Sequence, residues 1–192
     1  KKQDLIIHLA ALIGIPYSYV TPNSYIDTNI KGTLNILSVL QQNQNLSLIH
    51  TSTSETYGTA KYTPIDEDHS INAQSPYSAS KIAADHLSMS YWNSFRLPVK
   101  IVRPFNIYGP RQSGRAIIPS VIIQTLQNQK KIKLGNTNPT RDFTYVTDTC
   151  SAFIEIFKSK KLFGETTNIG TKSEIKIKDV TTSIFKKLEI NP

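Results

Sequence analysis

Tyr77 and Lys81 stand four residues apart in YSASK, a spacing that puts both on one face of a helix, one turn from each other. A free tyrosine titrates at about 10 and is a poor base at neutral pH. An ammonium within a few ångströms favours the tyrosinate and lowers that value. Such a pair can move a proton to or from a hydroxyl that becomes a carbonyl. Alone, the pattern also fits a packing ring beside a surface charge. Upstream, an apolar run ends in TSTSETYG (51–58), which sets Thr51, Ser52, Thr53, Ser54 and Glu55 at the carboxyl end of a strand. Open α/β sheets keep their ligands there. Thr53 is placed to hydrogen-bond the oxygen that Tyr77 deprotonates, although the same run also reads as a Ser/Thr-rich turn closing the strand.

The elements that would hold these residues alternate along the chain. KKQDLIIHLAA (1–11), LSLIHTS (46–52) and VKIVR (99–103) read as buried strands, and IKLG (132–135) as a fourth. Asn23 is a helix cap, followed by Ile26, Ile30, Leu34, Leu37 and Leu40 at helical spacing. Ala79, Ala83, Leu87, Tyr91 and Phe95 recur every four residues and predict a long helix over 77–95. Pro119 opens a helix to about Gln129, and 148–158 and 178–188 are two more. The turn-rich stretch 57–76 has no periodicity and reads as a loop flanking the site. Strand–helix alternation predicts an α/β fold, a doubly wound Rossmann-type parallel sheet with helices on both faces. None of the eight glycines forms GxGxxG or GxxGxxG. That loop, which seats a pyrophosphate on a helix N-terminus, is expected upstream with its βα units, outside these residues.

Composition narrows the class. Apolar content of 39% and charged content of 19% describe an ordinary globular chain. No apolar run reaches the roughly 20 residues that span a bilayer; Leu5 to Val20 is broken by His8, Gly14, Pro16 and Ser18. No signal-peptide cleavage pattern follows it, so export and membrane association are not expected. The single cysteine, Cys150, excludes an intrachain disulfide, fits a reducing cytoplasm, and reads as a packed small hydrophobe. The four histidines show no ligand spacing, so no metal is expected. A net charge of +8 raises nucleic-acid binding. The lysines are dispersed, however, and Lys158, Lys160 and Lys161 read as a solvated helix end, so that function is not expected either.

Six motifs together carry a resemblance: HLAA (8–11), DTNIKGT (27–33), TSTSETYG, SPYSASK (75–81), RPFNIYGPR (103–111) and RDFTYVTD (141–148). Their order and spacing resemble the extended short-chain dehydrogenases/reductases, the NAD-dependent epimerases and dehydratases of nucleotide sugars. Within that group the chain is similar to bacterial 4,6-dehydratases of the legionaminic-acid-pathway or GDP-mannose type. The resemblance implies that residues 1–110 are the C-terminal half of an NAD-binding Rossmann domain carrying the catalytic residues. Residues 111–192 would be mostly a truncated substrate-binding portion with interleaved Rossmann elements. It implies NAD lined by Leu9, Ala10, Ala11, Thr28, Ser52, Tyr77 and Lys81, and catalysis by Thr53, Glu55, Tyr77 and Lys81. Thr53, Asn106, Arg115 and Arg141 would bind a UDP- or GDP-linked hexose, N-acetylglucosamine among the candidates.

The implied activity is loss of water to a 4-keto-6-deoxy sugar nucleotide, with Glu55 as the carbon-5 base. Ser54 departs from the Thr-Asp-Glu of many dTDP-glucose 4,6-dehydratases and leaves the acid for the departing hydroxyl unassigned. The resemblance further implies a cytoplasmic enzyme of cell-surface polysaccharide biosynthesis, a homodimer through the helices near 24–42 and 77–95, and an inactive piece when these residues stand alone. The alternatives are a 4-epimerase or UDP-glucuronate decarboxylase on the same scaffold, and a non-catalytic binding relative lacking the cofactor loop.

Overall fold

The computed structural model describes residues 3–43, 45–127 and 131–188. In chain order the elements are β1 (Leu5–His8), α1 (Ile15–Val20), α2 (Pro22–Tyr25), a π-helical turn (Ile26–Lys31), α3 (Gly32–Gln42), β2 (Ser47–Thr51), a 3₁₀ turn (Ser54–Thr56), α4 (Pro76–Phe95), β3 (Val99–Pro104), β4 (Asn106–Tyr108), α5 (Ile117–Leu126), β5 (Thr140–Arg141), β6 (Phe143–Tyr145), α6 (Val146–Lys158), a second 3₁₀ turn (Lys160–Leu162), β7 (Thr166–Ile169), β8 (Ile175–Lys176) and α7 (Ile177–Lys187). They form two compact units, the first made of residues 1–104 and 152–169, the second of 105–151 and 170–192.

The first unit is built on a four-stranded, wholly parallel sheet in the order β1-β2-β3-β7. Parallel strands with both faces covered read as unbroken apolar runs, and every residue of β3 is buried. Alternation along β3 sorts its side chains between two cores. Val99 packs with Leu37, Leu40, Leu48 and Leu97 on one face. Val102 packs with Ile49, Phe153, Ile156 and Ile169 on the other. Lys100 shares the Val102 side. Its Nζ donates to the carbonyls of Ile156 (2.6 Å), Phe157 (2.9 Å) and Ser159 (2.6 Å), filling acceptors that the end of α6 leaves open. Burial pushes this ammonium below its ordinary pKa.

Helix α4 begins at a capping box, in which Ser75 and Ser78 satisfy each other's backbone N–H groups and Pro76 occupies the first turn. Arg96 ends the helix in the left-handed conformation, its N–H bonded to the Trp92 carbonyl. The helix predicted over 77–95 forms, and its buried face is mostly polar. Tyr77, Ser78, Ser80, Lys81, Ala84, Asp85 and Ser88 point inward, whereas Ala79 and Phe95 are exposed. A polar network claims the inner face, while Leu87 and Tyr91 of the apolar stripe pack against the Leu37 core.

The second unit pairs β4 with β6 in parallel and β5 with β8 antiparallel. Within it, Asp142 accepts the backbone N–H groups of Thr171 and Lys172 and the Thr171 hydroxyl. The expected strand 132–135 does not form. The Gln124 side-chain amide takes both the N–H and the carbonyl of Lys133, the groups a neighbouring strand would use. Thr21 is the N-cap of the second helix and Pro22 opens it, so Asn23 lies inside the helix rather than capping it; α1 precedes it. Helix α5 ends at Leu126, and Gln129 lies outside the described residues. Cys150 is exposed rather than packed. The phase of α6 turns Phe153 and Ile156 inward, and Cys150, Ile154 and Phe157 outward.

Candidate active site

Two segments of the first unit build the site. β2 stops at Thr51, and the chain turns at once into the short 3₁₀ turn. The Ser52 N–H bonds the Val102 carbonyl (2.7 Å) and continues the sheet. Thr53 then caps the turn by accepting the Glu55 N–H (3.2 Å), which leaves its own hydroxyl proton free to donate. Gly58 closes this segment at φ +66°, where an added Cβ would stand 2.5 Å from the Asn72 carbonyl oxygen, so only glycine lets the loop return here.

Opposite, the first two inward turns of α4 present Tyr77 at 7% exposure and Lys81 at 4%. Lys81 Nζ donates to the Thr51 carbonyl at 2.6 Å, tying the helix to the end of β2. It is the one hydrogen bond of this ammonium among the described residues, so two N–H groups remain uncommitted. Tyr25, anchored through its hydroxyl to the Gly14 carbonyl, meets the Tyr77 ring edge-on at 6.3 Å. The structure thus brings Thr53, Glu55, Tyr77 and Lys81 to one place.

The electrostatics differ from the simple expectation that lysine makes the phenol acidic. Burial pushes Tyr77 up to about 12; the Thr53 hydroxyl works the other way, while the charges of Glu55, Tyr25 and Asp85 add to the rise. Lys81 moves down to about 8 because it is buried, with the Asp85 carboxylate opposing that fall. Both groups are buried, and burial disfavours the charged form of each.

Beneath the pair lies a web of buried polar groups, of which the sequence pointed to Ser52 alone, as a cofactor contact, and not to its centre, Asp85. Asp85 Oδ2 accepts from Ser52 Oγ (2.8 Å) and from Arg103 Nε and Nη2 (3.1 and 3.0 Å). Arg103 Nη1 donates to the Tyr57 hydroxyl (3.1 Å), which donates to Asn168 Oδ1 (2.7 Å). His50 Nε2 lies 3.2 Å from Asp85 Oδ1. The contact is close enough for attraction but misaligned for a hydrogen bond, and Oδ1 has no aligned donor among the described residues. Burial alone would raise the Asp85 carboxyl; His50, Arg103 and Ser52 outweigh it and hold the group below its ordinary value. Asn29, on the π-helical turn, bonds Leu12 N and O and Ser80 Oγ, fastening the loop after β1 to α4. One signal was available: Asp85 repeats the four-residue step from Tyr77 to Lys81.

The other expected ligand contacts fall in both units. Leu9, Ala10 and Ala11 follow β1 at the same sheet end, with Leu9 and Ala10 exposed, and Thr28 sits half-buried on the π-helical turn. Asn106 on β4, Arg115 before α5 and Arg141 on β5 belong to the second unit. Arg115 and Arg141 are exposed. Among the described residues the Arg141 guanidinium bonds its neighbour's carbonyl, Thr140 O, alone, and makes no ion pair with Asp142. No group of three or more potential metal ligands, and no helix long and apolar enough to cross a membrane, occurs among the described residues.

Known proteins share this architecture. The family model described as GDP-mannose 4,6 dehydratase matches residues 1–191. The dTDP-D-glucose 4,6-dehydratase of Dictyostelium discoideum is 37% identical over 96% of this chain and 45% of its own length. The NAD complex of dTDP-glucose 4,6-dehydratase from Bacillus anthracis superposes with a TM-score of 0.86 at 32% identity, covering 98% of this chain and 58% of that one. UDP-glucuronic acid 4-epimerase from Bacillus cereus, with UDP-glucuronic acid and NAD, gives 0.92 at 32% identity over 98% and 60%. The chain therefore spans about half the length of the curated relatives it matches.

Proposed function

The chain belongs to the GDP-mannose 4,6-dehydratase family, the NAD-dependent epimerases and dehydratases of nucleotide sugars, and from that premise we propose that it is the catalytic portion of an NAD-dependent nucleotide-sugar 4,6-dehydratase. The observation that carries the reading is Glu55, half-buried on the turn capped by Thr53 and acting electrostatically on Tyr77. A 4-epimerization needs no base for carbon 5, whereas removal of water across carbons 5 and 6 does.

The end of the sheet fits the nicotinamide and ribose part of NAD in two respects. Ala10 and Ala11 are small, and Lys81 has two uncommitted donors at the ends of β1 and β2 suited to ribose hydroxyls. Leu9, Thr28 and Ser52 complete the lining. When bound, NAD supplies the hydride acceptor for carbon 4 and returns that hydride to carbon 6. Tyr77 takes the proton of the 4-hydroxyl, Thr53 donates to the same oxygen, and the Lys81 ammonium stabilises the tyrosinate. The ketone formed at carbon 4 acidifies carbon 5, from which Glu55 removes a proton. That proton then goes to the departing 6-hydroxyl, which leaves as water; once carbon 6 is reduced, carbon 5 regains a proton from Glu55, recharged by solvent, and Tyr77 releases to solvent the proton it took. Arg141 and Arg115 are proposed to hold the diphosphate, a planar guanidinium suiting its oxygens, and Asn106 to bond the sugar nucleotide.

We also propose a homodimer through the helices near 24–42 and 77–95, in a cytoplasmic enzyme of surface-polysaccharide synthesis. Ile26, Leu34, Val39 and Phe95 are exposed there, and a monomer at micromolar concentration in sedimentation would overturn it. The activity is tested with the whole protein, NAD and UDP-N-acetylglucosamine or GDP-mannose. A 4-keto-6-deoxy product is expected, and Glu55→Gln should cut its formation by about 10²–10⁴-fold. Substrate returned inverted at carbon 4, without loss of water, would sink the dehydratase in favour of a 4-epimerase.

A further inference from the structure

The face of α4 that carries Tyr77 and Lys81 continues one more turn to Asp85, and all three are buried. Each polar neighbour of the Asp85 carboxylate leads back to the site. Ser52 immediately precedes Thr53, and its hydroxyl is spent on Asp85 (2.8 Å) while its N–H is spent on Val102. With both groups of Ser52 fixed, the backbone leading into Thr53 is anchored at the end of the sheet. Arg103 lies on β3, is 4% exposed, and meets Asp85 side-on through two nitrogens. It also holds Tyr57, which ends the segment bearing Glu55. One carboxylate therefore joins the catalytic helix, the end of β2 and β3. Such a buried pair is weak evidence for stability in itself, since neutral packing often does as well. Its presence one turn below Lys81 calls for another reason.

We propose that Asp85 is a positioning residue for the proton transfer at Tyr77, fixing Ser52 and Arg103 in place and supplying the counter-charge that keeps Lys81 an ammonium. The inference rests on the oxidation assigned above to Tyr77 and Lys81. The titratable groups around Lys81 leave this task to Asp85 alone. On α4 the neighbours are Tyr77 and Asp85; from β1 comes His8, from β2 His50, from the 3₁₀ turn Glu55, whose charge acts on Tyr77, and from β3 Arg103, which is held by Asp85. Burial lowers His8 to about 4, and His50 falls for the same reason, so both are neutral at physiological pH. Burial also pulls Lys81 down, and the Asp85 charge is what opposes it.

The test uses the whole protein and Asp85→Asn, which keeps shape and removes charge. Without the carboxylate the Lys81 pKa falls, and the alkaline limb of kcat should move to lower pH by about one unit, a factor of ten at a fixed pH on that limb. KM for the sugar nucleotide should stay within about twofold, because Asp85 is buried and its carboxylate faces Ser52 and Arg103. Asp85→Glu should return the limb toward its original position. Where Asp85→Asn fails to fold because Arg103 is left unpaired, the double variant Asp85→Asn/Arg103→Gln removes both charges and is read in the same way. The Lys81 side-chain NMR resonance, titrated without ligand, gives the same shift independently of turnover. If the wild-type protein acts on no sugar nucleotide, the enzyme reading fails while this titration still judges Asp85. A folded variant whose kcat limb and Lys81 titration both stay in place would leave Asp85 a packing residue and overturn the proposal.

Discussion

Strand β3 sends one buried cation to each face of the sheet, and the two are handled in opposite ways. Lys100 turns toward α6 and spends all three donors on neutral carbonyls. Arg103, three residues on, turns toward α4, where a carboxylate balances its charge and its remaining nitrogen reaches Tyr57. The first arrangement is closed, finishing a helix and leading nowhere else. The second is a junction, because Asp85 goes on to Ser52, next to Thr53, and Tyr57 follows the turn that bears Glu55. A buried charge is thus structural or site-building according to where its hydrogen bonds end, not according to how deeply it lies.

Breaking each cation sharpens that contrast. Arg103→Met should have the larger effect, since it strands Asp85 as an uncompensated buried charge at a cost of about 3–5 kcal/mol. Urea unfolding of the whole protein measures the loss, and turnover per folded molecule should drop with it. Lys100→Met should cost about 1–3 kcal/mol by leaving helix-end carbonyls unsatisfied. Turnover of the folded fraction should be unchanged; a matching loss of activity would erase the distinction between the two faces.

The smallest effect concerns acid. His8 titrates at 6.5 when free and at about 4 in the folded chain, chiefly because it is buried. As pH falls through that interval the unfolded chain binds the proton first. Stability present above 6.5 is therefore lost progressively toward 4. Melting temperatures of wild type and His8→Asn, followed over that range, should diverge at neutral pH and converge in acid. Parallel curves would remove His8 from the acid response.

Much of this was legible from residue type and spacing. The Tyr77 and Lys81 step, the strands at 46–52 and 99–103, and the helices 77–95, 148–158 and 178–188 follow local rules of periodicity and capping. What escaped was set by distant partners. β7 is four residues of TTNI, unremarkable until β3 pairs with it. IKLG has the right alternation but finds Gln124 instead of a strand. Asp85 repeats the four-residue step from Tyr77 to Lys81, but nothing nearby in sequence announces that Ser52, His50 and Arg103 converge on it.

The edge of the sheet offers a last consequence. The Asn168 N–H, near the end of β7, is held by Glu67 Oε1 at 2.7 Å, and its side-chain amide reaches the Ile65 carbonyl and the Tyr57 hydroxyl. This amide is protected by a loop carboxylate rather than by another strand. Its exchange with deuterium will therefore be gated by release of residues 65–67, while its neighbours in β7 wait for the sheet to open. One backbone proton thus keeps separate time for the loop that flanks the catalytic turn.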